Sequence, residues 1–238
     1  MKINMNYIKI FGGILLVIAL FSFTNGRNDN KKLSKVNIEF VEGENQFITY
    51  PMVNKLLIQN EDTITNVAKE NLALNRLEDV LNRNQMIREA QVYYTINGQL
   101  EAKIKQREPI ARVGTSDPFY LDSEGKWMPL SPVFSARVPL ITGAVNKENL
   151  AETYKLAKYV YEDDFLNRNI IGIHKRGGKF ELKLRVDDFL VLLGNTEQLE
   201  RKFRNFKAFY QKARKDKTLN TYSVVNLQYN NQVVCTKK

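Results

Sequence analysis

The chain is nearly devoid of the two side chains that most often hold metals and staple small folds. It has one cysteine, Cys235, and one histidine, His174, among 238 residues. A single thiol allows no internal disulfide, and one Cys with one His cannot build a zinc cluster. Stability must therefore come from a packed core, which a chain of this length can supply. No glycine-rich phosphate loop precedes a helix. Acidic residues are the minority charge, 26 against 36 Lys and Arg, leaving a net charge of +10. Such an excess suits nucleic acid, an anionic membrane or an acidic partner, and equally a solvated basic surface.

The remaining chemistry-bearing residues read as structural. His174 sits in a strand-like run and Cys235 in the last extended stretch, as a small hydrophobe. Asp163-Asp164 ends a helix, and Asp187-Asp188 turns a hairpin. No catalytic, cofactor-binding or metal-binding residue is expected, and no small-molecule substrate.

What the sequence does have is an apolar N-terminal run. Ile10 to Phe23 would cover about 21 Å as a helix, and Tyr7 to Asn25 about 28 Å, close to the roughly 30 Å hydrocarbon core. Ile10, Leu15, Leu16, Val17, Ile18, Leu20, Phe21 and Phe23 are its lipid-facing candidates. A cleaved signal peptide competes with a retained anchor, but Phe21, Phe23 and Asn25 make a poor small-residue cleavage site, which favours the anchor. Lys2 and Lys9 precede the span; Arg27, Lys31, Lys32 and Lys35 follow it, so charge leaves its orientation open. Residues 1–9 read as a tail, 10–25 as the anchor and 26–35 as a linker.

Beyond the linker, two units follow, giving a mixed α/β (α+β) chain. Val36 to Val41 alternates as a strand. A helix starts near Thr49 and Pro51, with Met52, Leu56 and Leu57 on one face; a second carries Leu72, Leu77, Val80 and Leu81. Ile87 to Ile96 and Gln99 to Arg107 form a hairpin around Asn97-Gly98. The order over 36–107 is β-α-α-β-β.

The second unit, 108–238, opens near Pro109 with a strand pair around Glu124-Gly125. A helix is expected from a cap at Asn146, its face Leu150, Tyr154, Ala157 and Tyr161. A hairpin turns at Gly177-Gly178, with Phe180, Leu182, Leu184 and Val186 inward, and Phe189 to Gly194 reads as a central strand. Asn195 with Gln198 suggests a capping box. The basic helix after it places Leu199, Phe203, Phe206, Tyr210 and Ala213 on one face. That is core spacing, not aromatics interleaved for base stacking, so nucleic acid is not expected. The chain closes on two extended runs around Asn230-Asn231.

Four stretches carry a family resemblance: the short tail with a single span, "NQMIREAQVYYTINGQLEAKIKQREPIARV", "FYLDSEGKWMPLS" and "NLQYNNQVV". Together they resemble the bacterial cell-division family FtsQ/DivIB, in its Bacteroidetes branch, with a POTRA-like domain over 36–107. Asn226 and Gln228 stand where that family commonly has Asp and Arg. The resemblance implies a single-pass inner-membrane protein with a cytoplasmic tail and periplasmic domains. It would act at the division septum without catalysis, binding FtsB/FtsL and other division proteins. It also implies that the closing region contacts FtsB, and the terminal strand is expected to be an edge that a partner completes. By position Leu227, Tyr229, Asn231, Val233 and Cys235 are the contacts. An envelope-assembly POTRA protein outside division, or an anchored periplasmic enzyme, are the alternatives.

Overall fold

The structure, a computed structural model, describes residues 11–22, 36–41, 47–58, 70–96 and 99–238. Ile10, Phe23, the linker and the Asn97-Gly98 turn lie outside these residues. Residues 11–22 form helix α1, with Leu15, Leu16, Val17, Ile18, Leu20 and Phe21 all exposed. Among the described residues no helix is long and apolar enough to cross a membrane.

The described chain then gathers into two compact units. One holds β1 (Val36–Phe40), α2 (Tyr50–Ile58), α3 (Glu70–Asn82) up to Leu81 and residues 90–104; the other holds 47–49, 82–89 and 105–238. In the first, β2 (Ile87–Tyr94) and β3 (Leu100–Gln106) form a three-stranded sheet of order β1-β3-β2, with β1 parallel to β3. Helical spacing turns Val53 and Leu57, and Leu77 and Leu81, inward; all four are buried with Leu100, Ala102 and Ile104. Burying each such side chain stabilises by about 1.5–3 kcal/mol. The Glu78 carboxylate accepts the Val92 N–H at 2.7 Å, tying α3 to β2. The expected β-α-α-β-β order is present.

The second unit is built on a nine-stranded mixed sheet. Its strands are β4 (Pro109–Val113), β5 (Phe119–Asp122), β6 (Trp127–Pro129), β7 (Leu140–Gly143), β8 (Ile170–Arg176), β9 (Lys179–Leu184), β10 (Leu190–Gly194), β11 (Tyr222–Asn226) and β12 (Val234–Lys237). Their order is β12-β11-β10-β9-β8-β7-β4-β5-β6. Helices α4 (Ala151–Glu162), α5 (Asp164–Asn169) and α6 (Leu199–Lys215) share one core with the sheet. Phe180, Phe203 and Phe206 are fully buried there, and Tyr159 stacks on Phe203 with ring centroids 5.2 Å apart. Close strand approach fixes one glycine: a Cβ on Gly143, at φ +95°, would sit 2.0 Å from the Lys175 carbonyl oxygen.

Several local expectations shift. Helix α4 starts after Leu150; Asn146 instead accepts the N–H groups of Glu148 and Asn149 in a preceding turn. Its buried residues are Thr153, Leu156, Ala157 and Val160, leaving Tyr154 and Tyr161 half-buried. No capping box forms at Asn195, because Gln198 adopts a left-handed conformation (φ 50°) and its side chain makes no cap bond. Asn195 instead receives the buried Lys202 ammonium, 2.8 Å from both its side-chain and main-chain oxygens. Val186 is 79% exposed because β9 ends at Leu184. The Gly177-Gly178 turn, the inward faces of β3 and α6, and the central place of β10 are as expected.

Candidate partner-binding edge

A sheet of nine strands has two ends, and here they differ. Strand β6 is three residues long and carries Pro129. Short strands and proline are the usual means of blunting an edge. Strand β12 has no proline and runs antiparallel to β11, with Val224 opposite Thr236, Val225 opposite Cys235 and Asn226 opposite Val234. In such a ladder half the main-chain groups point away from the neighbour. Among the described residues no strand lies beyond β12.

The approach to this edge follows from its sequence. Strand β11 sits parallel to β10, Val225 opposite Val191, and α6 lies between them in the chain. Leu227 continues the ladder, its N–H donating to the Leu192 carbonyl at 2.9 Å. The Gln228 N–H turns back onto the Asn226 carboxamide oxygen at 2.9 Å. Gly194 makes room for this, since a Cβ there would meet Gln228 Cγ at 2.8 Å. Asn231 takes the left-handed conformation (φ 57°) that reverses the chain. Asn tolerates this better than most residues. A register shift near the β11 start is closed by the Ser223 hydroxyl, 3.2 Å from the carbonyls of Thr236 and Lys237.

The five expected contact residues therefore have different surroundings. Tyr229 is 49% exposed at the loop tip. Asn231 shapes the turn. Val233 and Cys235 are half-buried against the helix-covered core, and burial pushes the Cys235 thiol up from its ordinary pKa. Leu227 is buried in that core and holds the strand from inside. Val234 and Thr236, absent from the expected set, are exposed. The signal for them was period two: with Cys235 inward, its neighbours face out.

No metal-capable cluster of His, Cys, Asp or Glu occurs among the described residues. His174 is joined to the Thr142 hydroxyl at 2.9 Å, and Asp187 accepts the Tyr210 hydroxyl at 2.7 Å. Asp163 caps α5 by accepting the Phe165 and Leu166 N–H groups.

Residues 108–236, which include the whole nine-stranded sheet up to β12, match the family described as FtsQ/DivIB, C-terminal related. The chain belongs to this FtsQ/DivIB-related family. A POTRA-like domain matches residues 31–105. No individual curated protein matches the chain. The FtsQ/DivIB-related match ends within β12 and so takes in the edge itself. The POTRA-like match takes in the β1-β3-β2 sheet and its two helices.

Proposed function

We propose that this chain is a non-enzymatic assembly protein of the division septum whose strand β12 pairs with a strand of an FtsB/FtsL-type partner. The observation that carries the reading is the unequal pair of sheet ends: β6 carries Pro129, whereas β12 has no proline. Strand addition would supply affinity through main-chain bonds and specificity through alternate side chains. Tyr229 would be the aromatic anchor, with Val233, Val234 and Thr236 beside it and Asn231 and Cys235 setting the strand's course. The apolar segment 10–25 would hold the protein in the cytoplasmic membrane, with both folded units outside the cytoplasm. Membership in the FtsQ/DivIB-related family and the apolar exposed face of α1 support this placement.

The test is binding of peptides from the organism's own FtsB to the full chain in detergent. Tyr229→Ala removes an exposed ring, and Val233→Pro changes a residue just before the β11–β12 register. The expected result is a loss of about 2 kcal/mol for Tyr229→Ala with unchanged thermal unfolding. Undiminished binding by both folded variants would remove the edge from the reading.

A further inference from the structure

Between β6 and β7 the chain runs through residues 130–139 without joining the sheet. The segment alternates like a strand. Phe134, Ala136 and Val138 are half-buried against the cluster of Phe47, Tyr120 and Met128, while Ser135 and Arg137 are exposed. The Ala136 N–H donates to the Tyr120 hydroxyl at 3.1 Å. Among the described residues the N–H groups of Ser135, Arg137 and Val138 have no partner. In an extended segment successive N–H groups point to opposite sides, so Ser135 and Arg137 present theirs away from Tyr120. These are the features of an unpaired sheet edge.

A cavity of about 790 Å³ lies along this segment. Phe47, Phe134 and Val138 give it apolar wall, and Arg88, Lys105, Arg107 and Arg137 give it cations. Glu108 is its one lining carboxylate, and that group already accepts the Tyr161 hydroxyl. Burial and this bond push Tyr161 up to about 12. The carboxylates that pair with Arg88 and Arg107, Glu124 and Asp122, lie outside the lining. With Arg88 and Arg107 already ion-paired, the cavity offers the positive charge of the exposed Arg137, apolar surface and main-chain donors two residues apart.

We infer that this groove binds an extended acidic peptide in which Asp or Glu alternates with apolar residues. The peptide pairs with the main chain of Ser135 and Arg137, its apolar side chains meet Phe47, Phe134 and Val138, and its carboxylates meet Arg137 and its neighbours. The site is separate from β12 and does not depend on the reading of that edge.

The test uses the full chain in detergent micelles and a fluorescein-labelled peptide, Glu-Val-Glu-Ile-Glu-Val-Glu, read by anisotropy. Three controls accompany it: a Lys-for-Glu peptide, the same acidic peptide N-methylated at alternate amides, and the Lys237→Glu protein. The expected result is binding of the acidic peptide alone, weakened about tenfold or more by Arg137→Glu and by N-methylation, and unchanged by Lys237→Glu. Arg137 is exposed, so thermal unfolding of its variant should match the parent. Absence of acidic-peptide binding, equal binding to Arg137→Glu, or equal binding of the N-methylated peptide overturns the proposal. Loss on Lys237→Glu instead would assign the binding to the β12 edge and equally overturn it.

Discussion

Cys235 of β12 stands opposite Val225 of β11, and both side chains pack toward the core shared with the helices. This pairing sets the parity of the terminal strand, placing Val234 and Thr236 outward and turning the chain's one thiol, half-buried, toward the core. Burial raises the Cys235 pKa, so less thiolate is present at a given pH than for a free cysteine. Iodoacetamide should therefore modify Cys235 in the folded chain more slowly than in the urea-unfolded chain at pH 8. Equal rates would place the thiol on the outer face and reverse the strand's parity.

Asp122 is a buried carboxylate of the second unit with three partners. One oxygen accepts the Glu124 and Lys126 N–H groups, and the other meets the Arg107 guanidinium at 2.7 Å. Asp122 is 1% exposed. Asp122→Ala leaves two amides without their acceptor and a largely buried Arg107 with only Glu124 at 3.6 Å, and should cost about 3 kcal/mol in urea unfolding. Asp122→Asn keeps the amide acceptor and should cost less. A loss under about 1 kcal/mol for the alanine variant would contradict this account.

Asp163 gives a pH signature. Burial alone would raise its pKa, but the Lys207 ammonium and the Leu166 and Phe165 amides outweigh this and hold it below the ordinary carboxylate value. A depressed folded pKa contributes stability that is present above the unfolded pKa of about 3.9 and lost as pH falls through the folded value. Asp163→Asn should therefore be destabilising at pH 7, and the gap to the parent should narrow progressively below about pH 4. A gap independent of pH would show that the side chain acts through its neutral cap geometry alone.

Much of this architecture was legible in the sequence, where local patterns dominate. Period-two alternation gave the inward Leu100, Ala102 and Ile104, and core spacing gave Phe203, Phe206 and Tyr210. The glycine pair at 177–178 marked its hairpin because both residues need positive φ. Errors fell where tertiary partners override local preference. Asn195 resembles a cap but is claimed by Lys202, seven residues on. The Asp122–Arg107 pair carried no signal, since an exposed-looking turn aspartate says nothing of a cation fifteen residues earlier. Nor could the edge status of β12 be read from periodicity, because strand order is a property of the whole sheet.

The apolar N-terminal segment yields a prediction about retention. If residues 10–25 anchor the chain, alkaline carbonate should leave the protein in the membrane fraction, and sequencing should return the encoded N-terminus. A new terminus near Gly26 would show cleavage and make the folded units a released product.

The central claim is that β12 receives a partner strand, and amide hydrogen exchange tests it most directly. Exchange should be followed by mass spectrometry in the full chain, with and without the saturating FtsB-derived peptide. The account predicts slowed exchange across Val234–Lys237, because the outward N–H groups gain partners, with no change across Trp127–Pro129 of the blunted end. Bound peptide with unchanged exchange in Val234–Lys237 would contradict it.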